Sequence, residues 1–129
     1  MQPAHAHRNN VFLVEDSALI RARLVEMLGD VQGVAIVGEA ETPASAIEGI
    51  LRTRPDSVVL DIQLIGGSGL DVLRKIRPVA PDMVFIMLTN QSAPQYRKAC
   101  MDAGANYFLD KSSEIQDIKQ LLSSLGVNQ

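Results

Sequence analysis

The chain has no tryptophan, a single cysteine and only 4% aromatic residues among its 129 positions. One cysteine excludes an internal disulfide and fits a reducing compartment. Cys100 lies in RKACMDAGA, in step with Ala99 and Ala103, and reads as a small core residue rather than a reactive thiol. Long apolar runs are missing too. The longest, MVFIML (83–88), is far below the roughly 20 residues of a membrane-crossing helix. The opening MQPAHAHRNN carries no apolar core of a signal peptide, and its His5 and His7 have no third metal ligand nearby. Basic clusters are also absent. RAR (21–23) and RKIR (74–77) fall on separate candidate helices and read as solvated faces. With a net charge of -3 and a pI near 5.3, this argues against direct nucleic-acid binding. The expectation is a cytoplasmic protein without membrane insertion.

What is present is a regular alternation. Five short apolar runs recur: VFLV (11–14), VAIV (34–37), VVL (58–60), MVFIML (83–88) and YFL (107–109). They are mostly β-branched or aromatic and do not alternate with polar residues, which predicts parallel strands buried on both faces. Between and after them lie helical stripes: Ile20, Leu24, Met27 and Leu28; Ile47, Ile50 and Leu51 after Pro43; Leu70, Leu73 and Ile76 before Pro78. The fourth stripe is Tyr96, Ala99, Cys100 and Ala103, closed by Gly104; the last is Ile115, Ile118, Leu122 and Leu125. Strand and helix alternate five times, which predicts one α/β domain over 11–129 behind a flexible tail, 1–10. With no linker or repeat, the chain reads as a single-domain protein.

Ligands of open parallel sheets bind beyond the carboxyl ends of the strands. Here those ends carry Glu15 and Asp16, then Asp61, then Thr89 and Asn90, then Lys111. A strand-ending aspartate ordinarily starts a turn. If the first and third strands are neighbours, about 4.8 Å apart, three carboxylates share one crevice. Such crowding requires a proton or a cation. With oxygen ligands only, the natural cation is Mg²⁺. Thr89 adds a hydroxyl donor and Lys111 a fixed positive charge for phosphoryl oxygens. A nucleophilic carboxylate, a metal and oxygen-holding donors are the parts of phosphoryl transfer, with Asp61 as the nucleophile.

In their order and spacing, LVEDS, VVLDIQL, MLTN and FLDKS resemble the receiver domain of two-component response regulators, from about Val11 to Leu125. The resemblance implies a flavodoxin-like doubly wound fold of five βα units with strand order 2-1-3-4-5. It implies that Asp61 accepts a phosphoryl group from a phosphohistidine on a sensor histidine kinase or histidine phosphotransfer protein. Asp16 would then bind Mg²⁺ directly, Glu15 through water, and Gln63 through its backbone carbonyl. Thr89 and Lys111 would grip the acyl phosphate, and Phe108 would be the aromatic switch that signals to a downstream protein. Such a domain phosphorylates itself and hydrolyses its own phosphate but turns over no separate substrate.

Departures from the family pattern carry their own expectations. Glu15 stands where Asp is usual, and LIGGSG lacks the usual proline, which predicts a more mobile loop. Ser112 replaces the proline after Lys111, so the 111–112 bond is expected to be trans. Gln63, Asn90 and Gln91 follow the motifs of the resemblance and read either as plain solvated loop residues or as candidates for controlling water access to the phosphoryl group. Leu19 lies off its helix stripe, which reads first as a partly exposed residue; the resemblance offers a second reading, a docking contact for a kinase that grips the first helix. Two alternatives remain open at this point. A haloacid-dehalogenase-type phosphatase would need an acid at position 63, and a flavodoxin-like flavin binder would need a hydroxyl-rich loop after the first strand.

Overall fold

Apolar runs without polar alternation bury both faces only when helices cover both sides of a sheet. The computed structural model describes residues 8–90, 94–112 and 116–126 and has that construction. In chain order the elements are β1 (Asn9–Val14), α1 (Ala18–Gly29), β2 (Val34–Ala40), α2 (Pro43–Thr53) and β3 (Ser57–Leu60). A short hairpin of β4 (Gln63–Leu64) and β5 (Gly67–Ser68) precedes α3 (Gly69–Ile76). Then come β6 (Val84–Thr89), α4 (Pro94–Asp102), β7 (Tyr107–Asp110) and α5 (Asp117–Gly126). The main sheet is parallel with order β2-β1-β3-β6-β7, the 2-1-3-4-5 order expected for its five strands. The tail positions 1–7, Gln91 and Ile115 lie outside the described residues.

Strand alternation divides the core between two layers. Phe12, Val14, Val58, Leu60, Phe85, Met87 and Phe108 pack on the side that also buries Ile50, Leu73 and Ile76. Val11, Leu13, Val59, Ile86 and Leu88 pack with Leu24 and Leu28 of α1 and Ile118 and Leu122 of α5. The three central strands are covered as expected, but β2 is half-buried along most of its length because it forms an edge of the sheet. Two stripe positions also differ from expectation. Leu51 is 45% exposed and Tyr96 40% exposed. On α2 the buried face is Ala46, Gly49 and Ile50, because the Phe12 ring fills the space a side chain would need at Gly49 and, from β2, at Gly38.

The two charge runs are not uniformly solvated faces. Arg77 lies over the Phe85 ring and donates to the carbonyls of Ala80, Met83 and Gly104, so it closes the end of the sheet remote from the acids. At that end Asn9 is buried. Its amide nitrogen donates to the Leu122 carbonyl at 3.0 Å, and its amide oxygen accepts the Ser57 hydroxyl at 2.9 Å. Asn9→Ala strands both partners, at an expected cost of about 1–3 kcal/mol. The urea midpoint should fall with an unchanged denaturant slope; a wild-type midpoint would show that this bridge adds no stability.

Candidate functional site

Because the strands are parallel, β1, β3, β6 and β7 deliver their carboxyl-end residues to one edge. β1 and β3 are neighbours, with Val14 opposite Leu60, and the Asp61 amide donates to the Val14 carbonyl at 3.0 Å. Glu15, Asp16 and Asp61 thereby offer carboxylate oxygens within 4.8 Å of one another. Glu15 and Asp61 are buried, and Asp16 is half-buried.

Lys111 enters from the end of β7, its amide held by the Thr89 carbonyl at 3.0 Å. Its ammonium sits between two of the acids, 2.6 Å from Glu15 Oε1 and 2.9 Å from Asp61 Oδ2. Burial alone would depress its pKa, but the hydrogen bonds and charges of Glu15 and Asp61 outweigh burial and raise it. The ammonium therefore stays charged. The Glu15 pKa is raised as well: burial pushes it up, Lys111 and the Ser17 amide pull it back, and the Asp61 charge adds to the rise. The other Glu15 oxygen accepts the Ser17 amide at 2.9 Å. Against three carboxylates stands one ammonium. The remaining negative charge and the all-oxygen donor set suit a hard divalent cation such as Mg²⁺.

A family model of the response regulator receiver domain matches residues 11–123. The chain belongs to this family. Among curated relatives, the receiver is 33% identical over 116 residues to the response regulator UvrY of Escherichia coli K12, and 30% identical over 116 residues to the transcriptional activator DevR/DosR of Mycobacterium tuberculosis. These alignments cover 90% of this chain but 53% and 54% of those proteins, so it spans about half their length. The receiver domain of the putative regulator NarL from M. tuberculosis superposes with a TM-score of 0.85 at 25% identity, covering 95% of this chain and 99% of that one. CheY in a Borrelia burgdorferi CheX–CheY–BeF₃–Mg complex gives 0.82 at 25% identity, covering 92% and 90%. Neither the phosphatase nor the flavin-binding alternative finds support: Gln63 stands where the first needs an acid, and the loop after β1 carries Glu15 and Asp16.

The remaining site positions of this receiver fall as follows. Thr89 ends β6 and is buried, and Asn90 follows it at the surface. Gln63 is exposed, with its amide 3.4 Å from Asp61 Oδ1. Phe108 is buried while Tyr107 is exposed, the opposite orientations that strand geometry dictates. The Arg97 guanidinium lies 5.7 Å from the Phe108 ring centroid. None of the described peptide bonds is cis, so 111–112 is trans as expected. In place of proline, the Asp110 carboxylate shapes the turn by accepting both the Ser112 amide, at 2.8 Å, and its hydroxyl.

Within the glycine-rich segment the backbone forms the β4–β5 hairpin, whose turn uses Gly66 at φ +82°. The Ile65 amide fastens the hairpin to the Glu41 carbonyl at 3.1 Å. Gly69 has a separate role: a Cβ there would overlap the Asp61 backbone carbonyl. Gly69→Ala must displace either α3 or Asp61, at an expected cost of about 1–3 kcal/mol. It should also slow acetyl phosphate labelling. Wild-type stability and labelling together would show that the contact is easily relieved.

Sequence reasoning missed Arg21, read as part of a solvated face. It is 17% exposed and donates to the Glu15 carbonyl at 2.7 Å while pairing with Glu39 and Glu41. Its position four residues after Ser17, the α1 N-cap, was the available signal, because it returns the side chain to the start of the helix.

Proposed function

We propose that this receiver takes a phosphoryl group from a phosphohistidine of a sensor kinase or phosphotransfer protein onto Asp61. The observation that carries the reading is the Lys111 ammonium bridging buried Glu15 and Asp61 inside a cluster of three carboxylates. An Asp61 oxygen forms a bond to phosphorus as the phosphorus–nitrogen bond breaks, and the imidazole nitrogen keeps the electron pair. Asp16, Asp61 and the Gln63 carbonyl would hold Mg²⁺, with Glu15 acting through water. Bound Mg²⁺ would supply charge neutralisation for the phosphoryl oxygens.

Lys111 keeps its proton throughout and pairs with the transferred group, while the Thr89 hydroxyl donates to it. Repacking of Thr89 and Phe108 then shifts an existing equilibrium between two arrangements of the β6–α4–β7 face. With no ring hydroxyl on Phe108, that shift travels by packing. Gln63, Asn90 and Gln91 set how readily water reaches the acyl phosphate. No chemistry on a second substrate is part of this reading, and the output target is a protein.

Acetyl phosphate with Mg²⁺, followed by peptide mass spectrometry, tests the reading. One phosphoryl group per chain is expected on the Asp61 peptide, and none with EDTA; labelling confined to another residue overturns it. Leu19, 73% exposed on α1, is where the kinase would dock. Leu19→Asp should slow phosphotransfer from the cognate kinase about tenfold, the equivalent of 1.4 kcal/mol. Labelling by acetyl phosphate should be unchanged; equal slowing of both would place Leu19 in folding or chemistry instead.

A further inference from the structure

We propose that Arg21 is a positioning residue for the divalent-cation site, acting through the backbone on both sides of it; this rests on the Mg²⁺ reading above. Arg21 touches none of the three clustered carboxylates. Its Nη1 donates to the Glu15 carbonyl at 2.7 Å, which belongs to the peptide group leading into Asp16. The Glu15 amide is held from the opposite side by the Ala40 carbonyl at 3.0 Å. Backbone on both sides of the Glu15 Cα is therefore fixed. Asp16 makes no hydrogen bond or ion pair through its carboxylate among the described residues, so the peptide before it governs its aim.

The same guanidinium reaches the other wall. Nε pairs with Glu39 at 3.1 Å and Nη2 with Glu41 at 3.1 Å, and the Glu41 carbonyl accepts the Ile65 amide from the hairpin that begins at Gln63. One planar cation thus connects the loop carrying Asp16, the end of β2 and the hairpin beginning at Gln63. Its forked donors can serve a carbonyl and two carboxylates together, which an ammonium cannot do with the same directions. At 17% exposure, it is sheltered enough to hold one geometry.

Isothermal titration of Mg²⁺ into the intact chain tests this, beside urea unfolding in EDTA. Loss of a partner that orients metal ligands typically lowers affinity 10- to 100-fold. Arg21→Met should weaken Mg²⁺ binding by at least about tenfold, Arg21→Lys should recover part of it, and Glu41→Gln should weaken it in the same direction. Acetyl phosphate labelling at saturating Mg²⁺ should return most of the wild-type rate. If Arg21→Met and Glu41→Gln bind Mg²⁺ like wild type, whether or not they are less stable, the proposal fails. Should Arg21→Met not fold, Arg21→Lys and Glu41→Gln decide alone: wild-type affinity in both overturns it. Failure of wild type itself to bind Mg²⁺ would overturn the metal reading instead.

Discussion

Asp61→Asn should carry no phosphoryl group after acetyl phosphate treatment and should still fold. The amide matches the carboxylate in shape but is a poor nucleophile toward phosphorus, so label is lost completely rather than slowed. Its oxygen can still accept from Lys111, which donates to Asp61 Oδ2 at 2.9 Å in the native site. One of three mutually repelling charges also disappears. In EDTA the variant should therefore melt no lower than wild type, while its Mg²⁺ affinity falls because a direct ligand has lost its charge. The two readouts separate chemistry from folding. Residual label at a neighbouring carboxylate would show that the pocket, and not Asp61 alone, accepts phosphate.

That experiment can be designed from sequence because the decisive positions obey a rule of topology. Parallel strands bring their carboxyl ends to one edge, so residues 15, 16, 61, 89 and 111 had to converge once the alternation of strand and helix was recognised. The limits of legibility lie where a neighbour outside the segment decides. Leu51 reads as a core residue from helical spacing, yet Phe12 pushes the α2 contact onto Gly49 and leaves Leu51 outside. LIGGSG reads as a loop from its glycines, and its hairpin, with Glu41 receiving Ile65 and Asp61 crowding Gly69, rests on contacts that local propensity does not encode. Lys111 was legible as a cation at the site, but not its two-acid bridge, because which carboxylates its ammonium meets is set by how the ends of three strands sit together. Arg21 was hidden for the same reason: its carbonyl partner lies on the loop just before its own helix, but its two carboxylate partners come from β2 and the turn after it.

Lys111→Met should have the largest effect on stability. The ammonium and its two partners are 9%, 2% and 7% exposed, so removing the cation leaves two buried carboxylates without their compensating charge. Breaking a buried pair from one side costs about 3–5 kcal/mol, which should appear as a large fall in the urea midpoint at neutral pH in EDTA. Mg²⁺ should restore part of it, because a ligand that binds only the folded chain adds about 2.7 kcal/mol at a hundred times its dissociation constant. Acid should restore part as well, and the sign follows from Glu15. Burial already raises its folded pKa above the ordinary 4.5. Over the interval from 4.5 up to that folded value, the folded chain holds more protons than the unfolded one, so stability declines as pH rises through it. Without Lys111 the main influence pulling Glu15 down is lost, and the interval extends upward. The deficit of the variant relative to wild type should therefore shrink as pH is lowered from neutrality toward 5. In wild type the Lys111 contribution has the opposite limit: with its folded pKa raised above 10.5, it is complete below that pH and fades only in stronger base. A variant as stable as wild type in EDTA at neutral pH would mean that the carboxylates are neutralised some other way, and the charge balance of the pocket would have to be redrawn.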